Sequence, residues 1–317
     1  MIICPERIEE AVKMIEKKEL SYADVIIMGD NSSGKSFLLK RLVQNIIKID
    51  DIYYIDAVNR GFVVMDIPKH SDIPQFRRQM IETRIQENYF NIQDSFSFMG
   101  TSTEKVERIY HYYEQELQKL FVELTGDSFE ILHENQFGEV QFQKGKGLLS
   151  SGYQALVRIL LELIFYNDQV VEKSKITDGY VIIDEIDEFL SPKYAAVIYP
   201  FLKQHFDKLN FIVSTHSIDV VMNAKAAVLF VLDEDGYEVL DVNDYNTFSE
   251  TKRIFQRVFG KTDGRVPDCE SVLRRLLNNR INHAWSESDE KRMEELKNEK
   301  LSSSQQLILK QIQNWKE

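Results

Sequence analysis

Three apolar runs in this chain are too continuous for a strand with one wet face: "DVIIM" (Asp24–Met28), Tyr180–Ile183 and Phe211–Ser214. Unbroken apolar strands have both faces covered, as in a parallel sheet carrying helices on each side. Helical spacing fills the intervals. Leu38, Leu42, Val43 and Ile46 line one face of Phe37–Ile46, and Ala155–Tyr166 and Pro192–Phe206 also read as helices. Residues 5–18 predict an amphipathic helix with Ile8, Ala11, Val12 and Ile15 inward and Pro5 near its start. The stretch Ile52–Ile67 reads as two strands broken at Asn59–Gly61, Thr103–Leu124 as one long helix, and Phe129–Gly147 as a hairpin with a glycine-rich exit. Ala227–Val242 reads as a hairpin turning at Asp235-Gly236. Residues 68–102 are polar and carry no clear period. The pattern predicts an α/β fold with a mostly parallel sheet flanked by helices. It divides into a head over 1–246, with a helical insertion at about 68–147, and a charged helical extension over 247–317.

Length and composition sharpen this picture. A chain of 317 residues, 43% hydrophobic and 28% charged, can bury a full core. No apolar run approaches a membrane span, and the N-terminus "MIICPERIEE" is too acidic for a secretion signal. Cys4 and Cys269 make no metal spacing and no disulfide framework, which points to a reducing cytoplasm. A net charge of −12 excludes a molecule whose whole surface is a nucleic-acid platform. Residues 251–280 run the other way, with Lys252, Arg253, Arg257, Lys261, Arg265, Arg274, Arg275 and Arg280 against Asp263, Asp268 and Glu270. This local excess is either a dock for DNA, RNA or an acidic partner, or a solvated helix face.

Candidate chemistry begins at "MGDNSSGKSF" (Met28–Phe37). Gly29-x-x-x-x-Gly34-Lys35-Ser36 between an apolar strand and a helix is the spacing of a phosphate-binding loop. Glycine lets successive N–H groups of Asp30, Asn31, Ser32 and Ser33 turn into one concavity, and the helix that starts near Phe37 points its positive end there. Lys35 is placed to reach the outer phosphates, and the Ser36 hydroxyl to ligate Mg²⁺. The run "GYVIIDEIDEFLSP" (Gly179–Pro192) ends a buried strand in Asp184-Glu185. A carboxylate there suits Mg²⁺, and its neighbour suits orienting or deprotonating water.

Two further stretches narrow the field. Leu149-Ser150-Ser151-Gly152-Tyr153-Gln154 precedes a helix, and Ser214-Thr215-His216-Ser217 ends the following strand. The first resembles the signature motif of ABC-type ATPases, and the second the switch histidine of the same superfamily. The order of loop, signature, acidic pair and histidine matches ABC ATPase heads. Ser150 and Asp184 lie 34 residues apart, and Asp184 and His216 lie 32 apart, each interval suiting one strand–helix crossover. The resemblance covers roughly 24–242, and "DEIDEFLSP" places it nearer the SMC-like and OLD-like branch than the transporters.

That resemblance implies a P-loop NTPase that binds and hydrolyses ATP with Mg²⁺, held by Gly29–Phe37 with Ser36 and Asp184 as metal ligands. It gives Glu185, His216 and Lys35 the catalytic roles. It also implies a composite site, in which Ser150 and Gly152 contact the γ-phosphate held by a second copy, so that ATP closes a homodimer or higher homo-oligomer. Ser36 and Ser150 lie 114 residues apart, which leaves no room for long coiled-coil arms. Asp233-x-Asp235 has too little chain around it for a Toprim nuclease domain. A head this bare implies a separate effector protein, as in compact bacterial antiphage systems, or a role in genome maintenance, with no membrane partner. A transporter subunit and a nucleotide-gated structural protein with little turnover are the alternatives. The adenine contact (Tyr22), the Q-loop glutamine (Gln75, Gln79 or Gln86) and a γ-phosphate role for Arg60 stay open. So does the use of two apolar faces in the tail, Val272, Leu273, Leu276, Leu277 and Ile281, and Leu307, Ile308, Ile312 and Trp315, as core cover or effector dock.

Overall fold

The computed structural model describes residues 5–16, 20–31, 33–45, 52–57, 60–70, 73–77, 79–86, 105–134, 137–142, 145–173, 179–233, 236–245, 247–259, 269–297, 301 and 303–315. Ser32, Ile46, Asn59, Asp235, Lys261, Asp263, Arg265 and Asp268 lie outside the described residues. In chain order the elements are α1 (Pro5–Glu16), β1 (Asp24–Gly29), α2 (Lys35–Asn45), β2 (Ile52–Ile55), α3 (Gln79–Ile85) and α4 (Tyr110–Thr125). Then come β3 (Phe129–Glu134), β4 (Phe137–Phe142), β5 (Gly145–Gly147), α5 (Ser151–Tyr166), β6 (Gly179–Ile183), α6 (Pro192–His205) and β7 (Leu209–Thr215). The chain continues through α7 (Ile218–Asn223), β8 (Ala227–Asp233), β9 (Gly236–Asp241), α8 (Phe248–Phe259), α9 (Cys269–Ile281), α10 (Glu287–Lys297) and α11 (Ser303–Gln313). The class is α/β, with mostly parallel sheet flanked by helices, as the apolar runs predict. Contacts divide the chain into a central unit, Val43–Val213, and a terminal unit, Met1–Leu42 with Ser214–Glu317.

In the central unit β6 pairs in parallel with β2, Ile55 opposite Ile183, and with β7, Ile183 opposite Val213. All four β2 residues are buried, so this strand too is covered on both faces. α5 is buried at every position from Ala155 to Tyr166 and is apolar there apart from Arg158 and Glu162, as suits a helix inside a core. α4 packs on α5 and ends at Gly126, whose φ of 79° supplies the left-handed turn that closes the helix. The predicted hairpin at 129–147 is a three-stranded antiparallel sheet, because Gly145–Gly147 pairs with β4 instead of leaving it.

One predicted strand does not form. The apolar alternation after Gly61 gives an irregular segment and a single 3-10 turn at Val64–Asp66. Phe62 turns its ring onto Tyr110, with centroids 5.8 Å apart, and the Val63 N–H donates to Glu107 Oε1 at 2.7 Å. With the Phe62 ring and the Val63 N–H engaged by these partners, the segment pairs with no strand among the described residues. The helix predicted from Thr103 also opens differently, on a 3-10 turn at Val106–Ile109 before α4 begins.

In the terminal unit β1 pairs in parallel with β8, Gly29 opposite Leu232, and β8 turns back antiparallel into β9. α1 forms as predicted and buries Ile8, Ala11, Val12 and Ile15. α9 covers β9: Val239 N–H donates to Asn279 Oδ1 at 3.0 Å, and Asn282 Nδ2 donates to the Val239 carbonyl at 2.9 Å. Backbone groups of β9 are thus satisfied by side chains. The tail builds a small core of its own from Val272, Leu273, Leu276, Met293, Leu296, Leu309 and Ile312. Ile281, Leu307 and Trp315, counted among the apolar faces by spacing alone, stay exposed. Among the described residues no helix is long and apolar enough to cross a membrane.

Candidate functional site

The phosphate-type loop lies in the terminal unit. β1 is buried at every position and delivers the chain to Gly29. A Cβ there would lie 2.4 Å from Ser33 Oγ and 2.9 Å from the Leu232 carbonyl, so only glycine fits. Gly34 has φ 99°, a conformation that favours glycine. The loop is tied to itself: Ser33 N–H donates to the Asp30 carbonyl at 3.1 Å and Asn31 N–H to Asp30 Oδ1 at 2.7 Å. Lys35 is buried and folds back over the loop, its Nζ donating to the carbonyls of Gly29 at 3.0 Å and Asp30 at 3.2 Å. Carbonyl oxygens are neutral partners for a buried ammonium, and an anion is a stronger one. α2 has no acidic residue in its first turn, so nothing there repels one. Ser36 is half-buried, while Asp30, Asn31 and Phe37 are exposed. Ser33 Oγ is buried and has no hydrogen-bond partner among the described residues.

His216 follows β7, half-buried, with its ring 5.6 Å from that of Phe259 on α8. The Thr215 hydroxyl accepts from Ser217 N–H at 2.9 Å, and Ser217 caps α7 through Asp219 N–H at 3.2 Å. The strand end around the histidine is therefore ordered locally. Tyr22 Oη is engaged by Asp241 and Asn243.

The other candidates lie in the central unit. β6 ends in Asp184, which is fully buried, and Asp184 N–H donates to the Ile55 carbonyl at 2.9 Å. Glu185 has φ 52° and Phe189 has φ 65°, so the acidic turn 184–189 is left-handed at two non-glycine residues. Each such residue costs about 1–3 kcal/mol and persists only where its surroundings impose it. Arg60 is one such restraint: its Nη2 donates to the Asp184 carbonyl at 2.7 Å and reaches toward that of Glu185 at 3.5 Å. Arg60 is 1% exposed, and its Nε and Nη1 find no hydrogen-bond partner among the described residues.

Ser150 caps α5, its Oγ accepting from Tyr153 N–H at 3.3 Å, and stands exposed beside Leu148, which is 92% exposed. A Cβ on Gly152 would come 3.1 Å from the Phe189 carbonyl. The serine-bearing helix tip and the acidic turn are thus neighbours, a juxtaposition spacing alone does not give. Of the glutamines considered, Gln75 and Gln86 are exposed.

Under this end of the unit lies a charge network that the motifs do not announce. Glu162 accepts from Tyr53 Oη at 2.7 Å, from Arg84 Nη2 at 2.9 Å and from Arg158 Nε at 2.5 Å. Arg84 also donates to the Tyr54 carbonyl and lies 3.6 Å from Asp56. Burial works to raise Glu162, but Arg84 and Arg158 outweigh it and hold the carboxyl below its ordinary value. Burial lowers Arg60, opposed by Asp56, Glu162 and Asp184. Burial, then Asp184 and Asp56, push the Tyr54 hydroxyl well above its ordinary value. In the sequence the network shows only as Arg158 and Glu162, four apart in an otherwise apolar helix, a signal that spacing and motifs pass over; Arg84 carries none. In the basic stretch 251–280 two cations turn inward, since Arg275 is buried and Arg280 stacks 3.5 Å over Trp285. Among the described residues no three His, Cys, Asp or Glu side chains cluster as a metal site.

Fold and site together define an α/β protein with a phosphate-type loop between its first strand and the following helix. No protein-family model matches the chain. It is 28% identical over 194 residues to Septu protein PtuA of Bacillus mycoides, a match taking in 57% of this chain and 26% of that protein. It is 32% identical over 123 residues to Septu protein PtuA of Bacillus thuringiensis, over 36% of this chain and 30% of that one. The chain thus spans under a third of the length of these curated relatives. Among solved structures it is similar to an ATP-binding cassette of an ABC transporter in its ADP conformation, with 14% identity and TM-score 0.41 over 74% of this chain and 89% of that one. It is also similar to the SMC head domain from Thermotoga maritima, with 20% identity and TM-score 0.31 over 43% and 50%.

Proposed function

We propose that this chain is an ABC-type ATPase head that binds and hydrolyses ATP, dimerises around two Mg-ATP, and acts as sensor or scaffold for a separate effector or nucleic acid. Antiphage defence, or genome maintenance, is the proposed setting, and the similarity to the two Septu proteins supports it. One observation carries the reading: the loop after β1 excludes any side chain at Gly29 and holds the Lys35 ammonium on its own carbonyls at the start of α2. That arrangement suits a triphosphate, whose oxygens would take over the ammonium and the N–H groups facing the loop.

Ser36 and the buried Asp184 are the proposed holders of Mg²⁺, which would neutralise charge on the outer phosphates. Glu185 takes the proton of the attacking water, and His216 stabilises the terminal phosphate. Arg60 is buried with guanidinium nitrogens to spare, which suits an anion. Ser150 and Gly152 serve the triphosphate of a second copy, and the exposure of Ser150 at a helix tip supports this assignment. The exposed part of the basic stretch 251–280, with Lys252, Arg253 and Arg274, is the proposed contact for nucleic acid or an acidic partner. The test is calorimetry with Lys35→Ala, which should abolish ATP binding. Undiminished affinity would remove the loop from the site.

A further inference from the structure

We infer that residues 60–63 form a strap locking the acidic turn after β6 to the N-terminus of α5, so that the two move as one body, with Arg60 and Gln154 as its clasps. The functional meaning of the strap rests on the proposed ATPase reading; its existence does not.

Four consecutive residues hold three elements: the acidic turn, α5 and the turn that leads into α4. The Arg60 guanidinium grips the Asp184 carbonyl of the acidic turn at 2.7 Å. The Gly61 carbonyl accepts from Arg158 in the body of α5 at 3.5 Å. Phe62 N–H donates to Gln154 Oε1 in the first turn of α5 at 3.3 Å. Val63 N–H donates to Glu107 Oε1 at the head of α4, at 2.7 Å. Gln154 also donates through Nε2 to the Leu149 carbonyl at 2.9 Å, so one amide joins the strap to the residue before Ser150. The acidic turn needs such a restraint, because it holds left-handed residues at Glu185 and Phe189. Gly152 closes the contact from the other side, leaving the Phe189 carbonyl 3.1 Å from where a Cβ would sit. Both polar atoms of the Gln154 amide, Oε1 and Nε2, bond within the chain, which makes it a positioning residue and not a ligand contact.

In the proposed reading the acidic turn serves the ATP of its own chain and the α5 tip serves the partner's. A lock between them transmits the state of one site to the other, which is cooperativity in the thermodynamic sense.

The test is hydrogen exchange on the full chain, reading each variant in the element it does not bond. Gln154→Met should speed exchange over 184–190 at least about fivefold, and Arg60→Met should do the same over 149–154. The double variant should be no faster than the faster single one, because both act through one strap. Each variant loosening only its own neighbour, or the two effects multiplying, would overturn the strap. Should Arg60→Met fail to fold, Arg60→Lys keeps the charge and loses the fork. In a parallel ATPase titration, a Hill coefficient above 1 in the wild type should fall toward 1 in Gln154→Met. A wild type without turnover would sink the ATPase reading and leave the exchange result to decide the strap.

Discussion

Replacing Gly29 by alanine tests the phosphate loop at its tightest point. The new Cβ would meet Ser33 Oγ at 2.4 Å, the Leu232 carbonyl at 2.9 Å and Leu232 Cβ at 3.1 Å. Ser33 can swing aside, because a hydroxyl at the end of one rotatable bond yields cheaply. The Leu232 carbonyl cannot, being main chain of β8 in register with Gly29. The loop must therefore retreat, and it carries the Gly29 carbonyl away from Lys35. Overpacking of this kind costs about 1–3 kcal/mol. If the loop absorbs it all, nucleotide affinity falls roughly 5–150-fold, at about 1.4 kcal/mol per tenfold. Calorimetry with a non-hydrolysable ATP analogue reads the loss, and thermal melting reads the share taken by the fold. Gly29→Ala with Ser33→Ala should recover only part of the affinity, since the backbone clash remains. Gly61→Ala is the control, because a Cβ there meets nothing within 4 Å. Wild-type affinity together with a wild-type melting temperature in Gly29→Ala would refute the close approach.

Glu162→Gln should destabilise the central unit by about 3–5 kcal/mol by leaving buried arginines short of charge, lowering its melting temperature by roughly 6–20 °C. Glu162 is held below its ordinary value near 4.5, so its charge stabilises above that pH and the benefit is lost as pH falls through the folded value. The gap between wild type and variant should therefore stay constant above about pH 5 and narrow only as the pH falls below about 4.5, and a gap that begins to close nearer neutral pH, or never closes in acid, would count against the network. Leu276→Ala should cost the tail about 2–5 kcal/mol, seen as faster hydrogen exchange across α9, α10 and α11. Unchanged protection there would mean that the tail's cluster is not a core.

The parts of the fold that could be read in advance are those where local pattern and burial agree. β1, β6 and β7 are continuous apolar strands because both faces are covered, and covered strands carry no polar alternation to confuse the reading. The loop at Gly29–Ser36 shows itself because its geometry admits few residue types. The stretch after Gly61 misleads, since Glu107 and Tyr110, which hold it, lie more than 40 residues away. Gly145–Gly147 reads as an exit, yet a strand needs only backbone to pair, and Gly147 leaves room for the Phe142 ring, 3.4 Å from its missing Cβ. Arg84 is illegible for the same reason as Glu107: its partners Tyr54 and Glu162 lie 30 and 78 residues off.

The composite site is tested most directly by light scattering on Glu185→Gln, with and without ATP. Slowed turnover should trap the closed form, so the measured mass should double with ATP, and adding Ser150→Arg should block the doubling while calorimetry still records ATP binding. A Glu185→Gln protein that binds ATP and stays a monomer would contradict the two-chain site.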